Sequence, residues 1–270
     1  MSEDKKVEEG KETEIVDKKD TAVAPVSRVS GKNGRAAGSE NIDIDKDIKM
    51  PRVAVLQGLS QLVSDGKATP GKLANSITKE IYGDELIFIP LFLFKTRARF
   101  KIGEGLICFS RDAISCQFCN CPESHMEGYD CLTCDQGVWP TKQQMLENPA
   151  LSGPDCNLVY NYPVLNAKNL KQFPVSISLM RSASKSAKDL NSMLVYTGED
   201  FFSSKIKMTV KKQENDKGTF FIPQFEMVGR CTDDEFLFAK NWYGKIRHKT
   251  IDINLEDEAP FVKDDGTEQF

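Results

Sequence analysis

The sequence predicts a mainly β protein with a few helices, in which one large domain fills the middle of a 270-residue chain. Stretches that alternate apolar and polar residues recur between residues 51 and 251, and this period of two is typical of strands with one buried face. Residues 1–50 contain no aromatic residue and many charged ones, so they cannot bury enough apolar surface to offset chain entropy. We therefore expect a disordered segment at 1–50, a folded domain at 51–251 and an acidic, flexible tail at 252–270.

The longest strand signal covers residues 86–102 and predicts either one strand or two strands divided by a bend. Its first half is apolar on both faces, which favours burial in the core. In its second half, cations occupy every second position, at Lys95, Arg97, Arg99 and Lys101. Side chains two residues apart in a strand point to the same face, so these cations form one basic row. A shorter strand is expected at 105–110.

The rest of the domain repeats this arrangement. The pattern predicts, in chain order, a strand at 173–180, a helix at 182–194, a hairpin at 205–228 and a helix from Thr232 to about Gly244. The last helix begins with a Thr232–Glu235 capping box, in which side chain and backbone satisfy each other's hydrogen bonds. The first hairpin strand carries a second basic row, formed by Lys205, Lys207 and Lys211.

Residues 116–156 hold six of the eight cysteines and show little periodicity, so we interpret them as an insertion. Two C-x-x-C motifs, separated by 11 residues, each present two sulfurs to one ion, and four thiolates suit a structural Zn²⁺. The sequence predicts a zinc-ribbon-like site with the ligands Cys116, Cys119, Cys131 and Cys134. Cys121, Cys156 and His125 are alternative ligands, and free buried thiols are the alternative to a metal. Cys108 and Cys231 are interpreted as core thiols.

Motifs for catalysis and for membrane insertion are absent from the sequence. It contains no phosphate-binding glycine loop, nucleophile elbow or zinc-protease motif, so we expect a protein that is not an enzyme. No run of 18 apolar residues could span a bilayer. The N-terminus lacks the apolar core of a secretory signal, and we therefore expect a cytoplasmic protein with reduced cysteines.

Aromatic side chains and an acidic end complete the pattern. Proteins that bind single strands without sequence preference combine a cationic groove with aromatic rings on which bases stack. The candidates for stacking are Tyr160, Tyr162, Phe220 and Trp242, and the competing interpretation is that such rings belong to the core. The stretch Glu256–Phe270 is rich in acids and ends in an aromatic residue.

Together these features resemble phage-type single-stranded DNA-binding proteins. The resemblance rests on the basic strands 95–101 and 205–211, on Phe220 and Phe221 in the hairpin, on the opening segment Pro51–Leu62 and on the final Phe270. It implies an OB-fold, a partly open five-stranded Greek-key barrel. It also implies that the acidic tail recruits replication proteins (a polymerase, helicase or primase) and competes with DNA. The cysteine insertion departs from the simplest members, which lack a metal.

The hypothesis is therefore an OB-like barrel with a zinc-binding insertion that binds single-stranded DNA in phage replication or recombination. The two basic rows would neutralise phosphates, and the four aromatic candidates would stack bases. One alternative is a zinc-ribbon transcription or scaffold protein that contacts a polymerase, and another is a virion structural protein. A homo-oligomer is compatible with each of them.

Overall fold

The computed structural model describes residues 38–39, 41–43, 46–101, 104–120, 127–148, 153–215, 218–253 and 255, and the backbone of 261–262 and 268–269. Contacts divide the chain into two units, Met1–Ile42 and Asp43–Phe270, and every element below belongs to the second. Residues 1–37 of the predicted disordered segment and most of the predicted acidic tail lie outside the described residues. Strand pairing begins at Lys49, just before the predicted start of the folded domain.

The elements follow one another in an order dominated by strands. The strands are β1 (Lys49–Met50), β2 (Val53–Val55), β3 (Leu73–Asn75), β4 (Ile81–Gly83), β5 (Leu86–Pro90), β6 (Phe94–Lys101), β7 (Gly105–Ser110), β8 (Phe118–Cys119), β9 (Cys156–Asn166), β10 (Val175–Leu179), β11 (Ser204–Asn215), β12 (Gly218–Arg230), β13 (Asp252–Ile253), β14 (Phe261–Val262) and β15 (Glu268–Gln269). The helices are α1 (Gln61–Ser64), α2 (Lys142–Glu147), α3 (Ser184–Tyr196) and α4 (Asp233–Ile246). Short 3-10 turns lie at Asp135–Gly137, Arg181–Ala183 and Phe201–Ser203.

β9 is the central strand of the main sheet, and β5 and β6 lie one after the other along one of its edges. Both β5 and β6 run antiparallel along one edge of β9, where Pro90 pairs with Val164 and Phe94 with Asn161. β10 pairs with the opposite edge of β9. On the edges of β5 and β6 that face away from β9, the sheet continues in two directions. β11 and then β12 follow β5, and β7 and then β8 follow β6. The predicted strand at 86–102 is thus two strands divided at residues 91–93.

The two faces of this sheet pack against different helices. Residues directly opposite each other in antiparallel strands share a face, so the register assigns each side chain. The α3 face carries an apolar cluster that packs with α3 and includes Phe88, Tyr162, Ile206, Ala187, Leu190 and Leu194. The α4 face carries a second cluster that includes Ile89, Leu165, Phe202, Ala239 and Ile246. A third cluster forms around Ala98, Phe100 and Val159.

The mainly β class with few helices is confirmed, and the sheet is open. Among the described strands, the outer strands β12, β8 and β10 do not pair with one another, so no closed barrel forms. The chain ends of the domain meet in β1 and β13, which pair in parallel. β2, β3 and β4 form a separate three-stranded sheet, and β14 pairs with β15.

The helices that local sequence signals predicted are present in the structure. Thr232 accepts a hydrogen bond from the Glu235 backbone and Glu235 returns one to the Thr232 backbone, which confirms the predicted capping box. The helix continues to Ile246, slightly past its predicted end. The predicted helix at 182–194 is α3, which buries the expected stripe of Ala187, Leu190 and Leu194. No helix in the described part of the chain is long and apolar enough to cross a membrane.

Candidate metal centre and nucleic-acid interface

Three cysteine thiols converge at the end of the sheet where β7 and β8 meet. Cys108 and Cys119 are cross-strand partners on these strands, and Cys116 lies in the turn that precedes β8. Their sulfurs all lie within 4.8 Å of one another. The sulfurs of Cys108 and Cys116 are 3.4 Å apart. These three thiols, which we name the three-cysteine group, are placed to hold a metal ion.

Two more buried cysteines border the three-cysteine group. Cys156, the first residue of β9, accepts a hydrogen bond from the thiol of Cys108. This bond, with the positive charge of Arg97, lowers the pKa of the Cys156 thiol below its ordinary value, although burial opposes the shift. The same bond and burial raise the pKa of Cys108. Cys131 packs against Cys108, and burial raises its pKa. The cluster thus collects sulfur donors, the type of ligand that a soft metal ion prefers.

Arg97 of β6 lies beside this cluster instead of pointing into solvent. Its guanidinium hydrogen-bonds to Cys156. Its Nε is buried and has no hydrogen-bond partner among the described residues. A Cβ atom placed on Gly137 would collide with Arg97 Nη1, so the loop after Cys131 lies directly against the guanidinium. Arg97 is thus a half-buried cation, with a buried Nε, next to the cysteine cluster.

The predicted ligand set and the observed cluster overlap only in part. Cys116 and Cys119 belong to the three-cysteine group, and Cys131 borders it. Cys134 lies outside that group, and Cys121 lies outside the described residues. Cys108, interpreted from the sequence as a core thiol, is the centre of the group. Its position two residues before Ser110 on a polar strand face was the available signal.

The two basic rows lie on opposite faces of the sheet. Lys95 is directly opposite Tyr160 on β9, which places the first row on the α3 face. Lys207 is directly opposite Ile87 on β5, whose side chain alternates with that of Phe88, so the second row is on the α4 face. Because the sheet separates the rows, one DNA strand cannot contact both within a single groove.

The cations of the first row are engaged by neighbouring groups. Arg99 pairs with Asp155 at 3.0 Å, and Lys101 pairs with Glu104. Lys95 is exposed, but its ammonium group lies 5.5 Å from the ring centre of Tyr160. Because Arg97 is half-buried beside the cysteines, Lys95 is the one exposed cation of the first row without an ion pair among the described residues.

Both tyrosines proposed for base stacking are in the core. Tyr162 is 0% exposed, and its hydroxyl donates to Asn191 Oδ1 at 2.7 Å. Tyr160 is 9% exposed and lies under Lys95. A base cannot reach the face of either ring, so the residues act in packing with α3. Their shared face, predicted from alternation, is the buried one.

The second basic row shares its face with an aromatic ring. Lys211 and Phe220 both point to the α4 side of the hairpin, because Phe220 is opposite Gln213, which follows Lys211 by two positions. Lys211 is exposed and makes no ion pair among the described residues. Lys205 pairs with Glu235 of α4 at 2.8 Å, and Lys207 pairs with Glu226. This face therefore keeps Lys211 available beside a half-buried ring.

Helix α4 adds cations that lie over aromatic rings. Lys245 lies 5.2 Å from the ring centre of Trp242, and Arg247 lies 5.1 Å from that of Tyr243. Lys240 is 5.8 Å from Phe236. Within the described residues none of these three cations makes an ion pair. We name the set Lys211, Phe220, Lys240, Trp242, Lys245 and Arg247 the basic-aromatic set.

A comparison with known protein families identifies the family of this chain. The model of the Pam3 phage gp34-like protein family matches residues 18–103 and 155–252, which is more than half of the chain. The chain belongs to this family. No curated protein and no solved structure matches it.

The match to the gp34-like family also separates the framework from the cysteine-rich part. The gap in the match falls between residues 103 and 155 and contains the stretch between β7 and β9. Cys108, Cys116, Cys119 and Cys131 lie in this gap, whereas Arg97 and Cys156 lie within the matched ranges. The cluster therefore joins an insertion, relative to the gp34-like model, to the framework strands.

Proposed function

We propose that this phage-family protein binds single-stranded DNA without sequence preference, in replication or recombination, through the basic-aromatic set. The observation that carries the proposal is that aromatic rings alternate, on the hairpin and at α4, with cations that make no ion pair among the described residues. Aromatic rings stack on any base, and cations neutralise the backbone, so this combination suits a strand of any sequence. The first basic row and the two buried tyrosines are not part of the proposed interface.

Titration of the full-length protein with oligo-dT at several salt concentrations tests the proposal. Neutralising phosphates releases counterions, so log affinity should fall with log salt by about 0.7 per phosphate contact. Trp242 lies in the proposed interface, and quenching of the tryptophan fluorescence should accompany binding. No binding, or binding whose strength does not change with salt, would overturn the proposal.

The cysteine cluster binds a structural Zn²⁺ in this proposal. Thiolates at tetrahedral spacing are its preferred ligands, and a site without an open position braces a fold instead of catalysing a reaction. The cluster ties the insertion to the sheet, which gives such a brace a structural task. Metal content measured by mass spectrometry on the purified protein tests this part separately from DNA binding.

The acidic tail supplies regulation in this proposal. Glu256–Phe270 would occupy the basic-aromatic set when DNA is absent and recruit replication proteins when DNA displaces it. Deleting these residues should tighten oligo-dT binding and abolish partner recruitment. An unchanged affinity in the truncated protein would contradict competition by the tail.

A second candidate function is a zinc-braced module that contacts a protein partner such as a polymerase. Exposed apolar side chains on the insertion favour it: Leu132, Val138, Trp139 and Leu146 are 66%, 59%, 67% and 76% exposed. Exposed apolar groups close together mark interaction surfaces. Exchanging Trp139 and Leu146 for serine should abolish polymerase capture and leave oligo-dT binding unchanged if this candidate is right.

A further inference from the structure

We propose that the metal site has four thiolate ligands, Cys108, Cys116, Cys119 and Cys156, and that the half-buried Arg97 is its counter-charge. This inference rests on the zinc-binding part of the proposed function and assigns its ligands. It replaces the two C-x-x-C motifs of a zinc ribbon with one motif and two cysteines from strands of the main sheet, Cys108 on β7 and Cys156 on β9. Cys134 has no part in the site.

The positions of the sulfur atoms support this choice of ligands. In a tetrahedral site with Zn–S distances of about 2.3 Å, the sulfurs lie about 3.8 Å from one another. The three-cysteine group brackets this spacing, since its sulfurs are 3.4 Å apart at Cys108 and Cys116 and all within 4.8 Å. Cys156 hydrogen-bonds to Cys108, which places its sulfur next to the group. Cys156 is not among the cysteines whose sulfurs all lie within 4.8 Å of one another, so its side chain would have to move to complete the site.

The strand register places two cysteines that are distant in sequence on the same face of the sheet. Arg99 of β6 is directly opposite Cys108 on β7 and directly opposite Cys156 on β9. Both cysteines therefore flank the same residue and lie on the same face of the sheet. The metal would join β7, β9 and the turn at 116–119, so it would fix the insertion to the framework at its base.

The positive charge of Arg97 would compensate the negative charge of such a metal site. Four thiolates around a divalent ion leave a net charge of about -2, and a buried charge is costly unless it is compensated. The Arg97 guanidinium hydrogen-bonds to Cys156, and its buried Nε faces no oxygen or nitrogen partner among the described residues. At this position, Arg97 would pair with the negatively charged group of a metal ion and its thiolates. Arg97 acts through Cys156, as a positioning residue.

Cys131 is the competing fourth ligand, and its surroundings argue for a supporting role. It hydrogen-bonds to Ser110, which holds its sulfur toward β7. Packing on Cys108 and Cys116 makes it a neighbour of the site in either case.

Cysteine protection in the unaltered full-length chain is the first test. The protein is loaded with Zn²⁺, or stripped of metal with a chelator, and then treated with N-ethylmaleimide before peptide mass spectrometry. We expect Zn²⁺ to protect Cys108, Cys116, Cys119 and Cys156, with no change at Cys134 or Cys231. Protection of Cys131 and Cys134 in place of Cys108 and Cys156 would overturn the ligand set. If the wild-type protein contains no zinc, the proposal that it binds zinc is wrong.

Variants supply the second test, with Co²⁺ as the spectroscopic probe. Cys108→Ser and Cys156→Ser should weaken Zn²⁺ binding by more than 100-fold and lower the sulfur-to-cobalt absorption, while Cys231→Ser serves as the matched control. Arg97→Met should weaken Zn²⁺ binding by about 10- to 100-fold, as loss of an outer-shell partner does. Arg97→Lys should restore most of that loss because it keeps the charge. Equal binding by Arg97→Met and wild type would overturn the role of Arg97.

Discussion

Gln57 and Phe221 are joined by two hydrogen bonds that imitate one step of a β-ladder. The Gln57 amide donates to the Phe221 carbonyl at 2.9 Å and accepts from the Phe221 N–H at 2.9 Å. Phe221 lies on the edge strand β12, so a single side chain satisfies backbone groups that would otherwise face solvent or another chain. This contact ties the opening segment to the hairpin of the proposed DNA interface.

Exchange of Gln57 for alanine should destabilise the protein by about 1–2 kcal/mol. Both hydrogen bonds are half-buried, and their loss leaves the Phe221 backbone without a protein partner. Urea unfolding followed by circular dichroism measures the change. Gln61→Ala is the control, since Gln61 is exposed at the start of α1. Equal stability of the two variants would show that the contact contributes nothing.

DNA binding should depend on Lys211 and Phe220 and not on a remote lysine. Lys211→Ala should reduce the magnitude of the log–log salt slope by about 0.7, because one phosphate contact is lost. Phe220→Ala should weaken oligo-dT binding by about 1–3 kcal/mol through lost stacking. Lys67→Ala is the control, since Lys67 is exposed and pairs with Asp65 on the surface. If Lys67→Ala weakens binding as much as Lys211→Ala, the assigned surface is wrong.

Tyr162 should matter for stability and not for DNA. Tyr162→Phe removes a hydroxyl that donates to Asn191 and lies 3.1 Å from the Ala187 carbonyl, which should cost about 1–2 kcal/mol of unfolding free energy. Oligo-dT affinity should stay the same, because the ring is inaccessible. Tyr196→Phe, at a residue that is 93% exposed, should change neither quantity. A selective loss of DNA affinity in Tyr162→Phe would return this ring to the interface.

Local elements were predictable from the sequence because their signals are local. The capping box at Thr232, the apolar stripe of α3 and the alternation in the hairpin each depend on neighbours within a few residues. The same holds for the break in 86–102, which the sequence left as one of two alternatives. Such patterns determine secondary structure and the spacing of side chains on one strand.

The relation between the two basic rows depends on one irregularity that no local pattern reveals. On β5, odd positions such as Ile87 lie on the α4 face, whereas on β6 the odd position Lys95 lies on the α3 face. The change occurs at residues 91–93, and a shift of one residue exchanges the faces of every later side chain. In an unbroken strand, Lys95 would share a face with Lys207. The two basic rows therefore do not form one surface, a relation that the alternation within each strand does not determine.

The metal ligands were only partly predictable for a similar reason. The C-x-x-C motif identifies Cys116 and Cys119 because their spacing is short. Cys108 and Cys156 are far apart in sequence, and they lie on one face of the sheet because both are opposite Arg99. Tertiary pairing of that kind requires the register of β6, β7 and β9, which the sequence alone does not determine.

Stability should fall in acid because of Glu235. Partial burial raises the pKa of this carboxyl, but hydrogen bonds from Lys205 and from the Thr232 backbone outweigh burial and lower it below 4.5. A depressed pKa in the folded state stabilises the protein above the unfolded pKa, and this stabilisation is lost as pH falls through the folded value. The unfolding free energy should therefore decrease as pH falls below about 4.5. Glu235→Gln should flatten this decrease, and identical pH profiles for the two proteins would contradict it.

Gly137→Ala should weaken metal binding without altering any cysteine. A Cβ at this position collides with Arg97 Nη1 and lies 3.6 Å from the Cys131 carbonyl, so the guanidinium must move away from Cys156. We expect Zn²⁺ affinity to fall by up to about tenfold, less than in Arg97→Met, because the displaced cation stays nearby. Competition with a chromophoric chelator measures the affinity.

Gly58→Ala is the matched control for this substitution, since no atom lies within 4 Å of a Cβ placed there. Combining Gly137→Ala with Arg97→Met separates the two explanations of a loss. If Gly137 acts by positioning Arg97, the double variant should bind Zn²⁺ as Arg97→Met does, because the two changes remove the same interaction. Additive losses would mean that Gly137 shapes the Cys131 loop independently of Arg97. In that case Arg97 would not connect this loop to the metal.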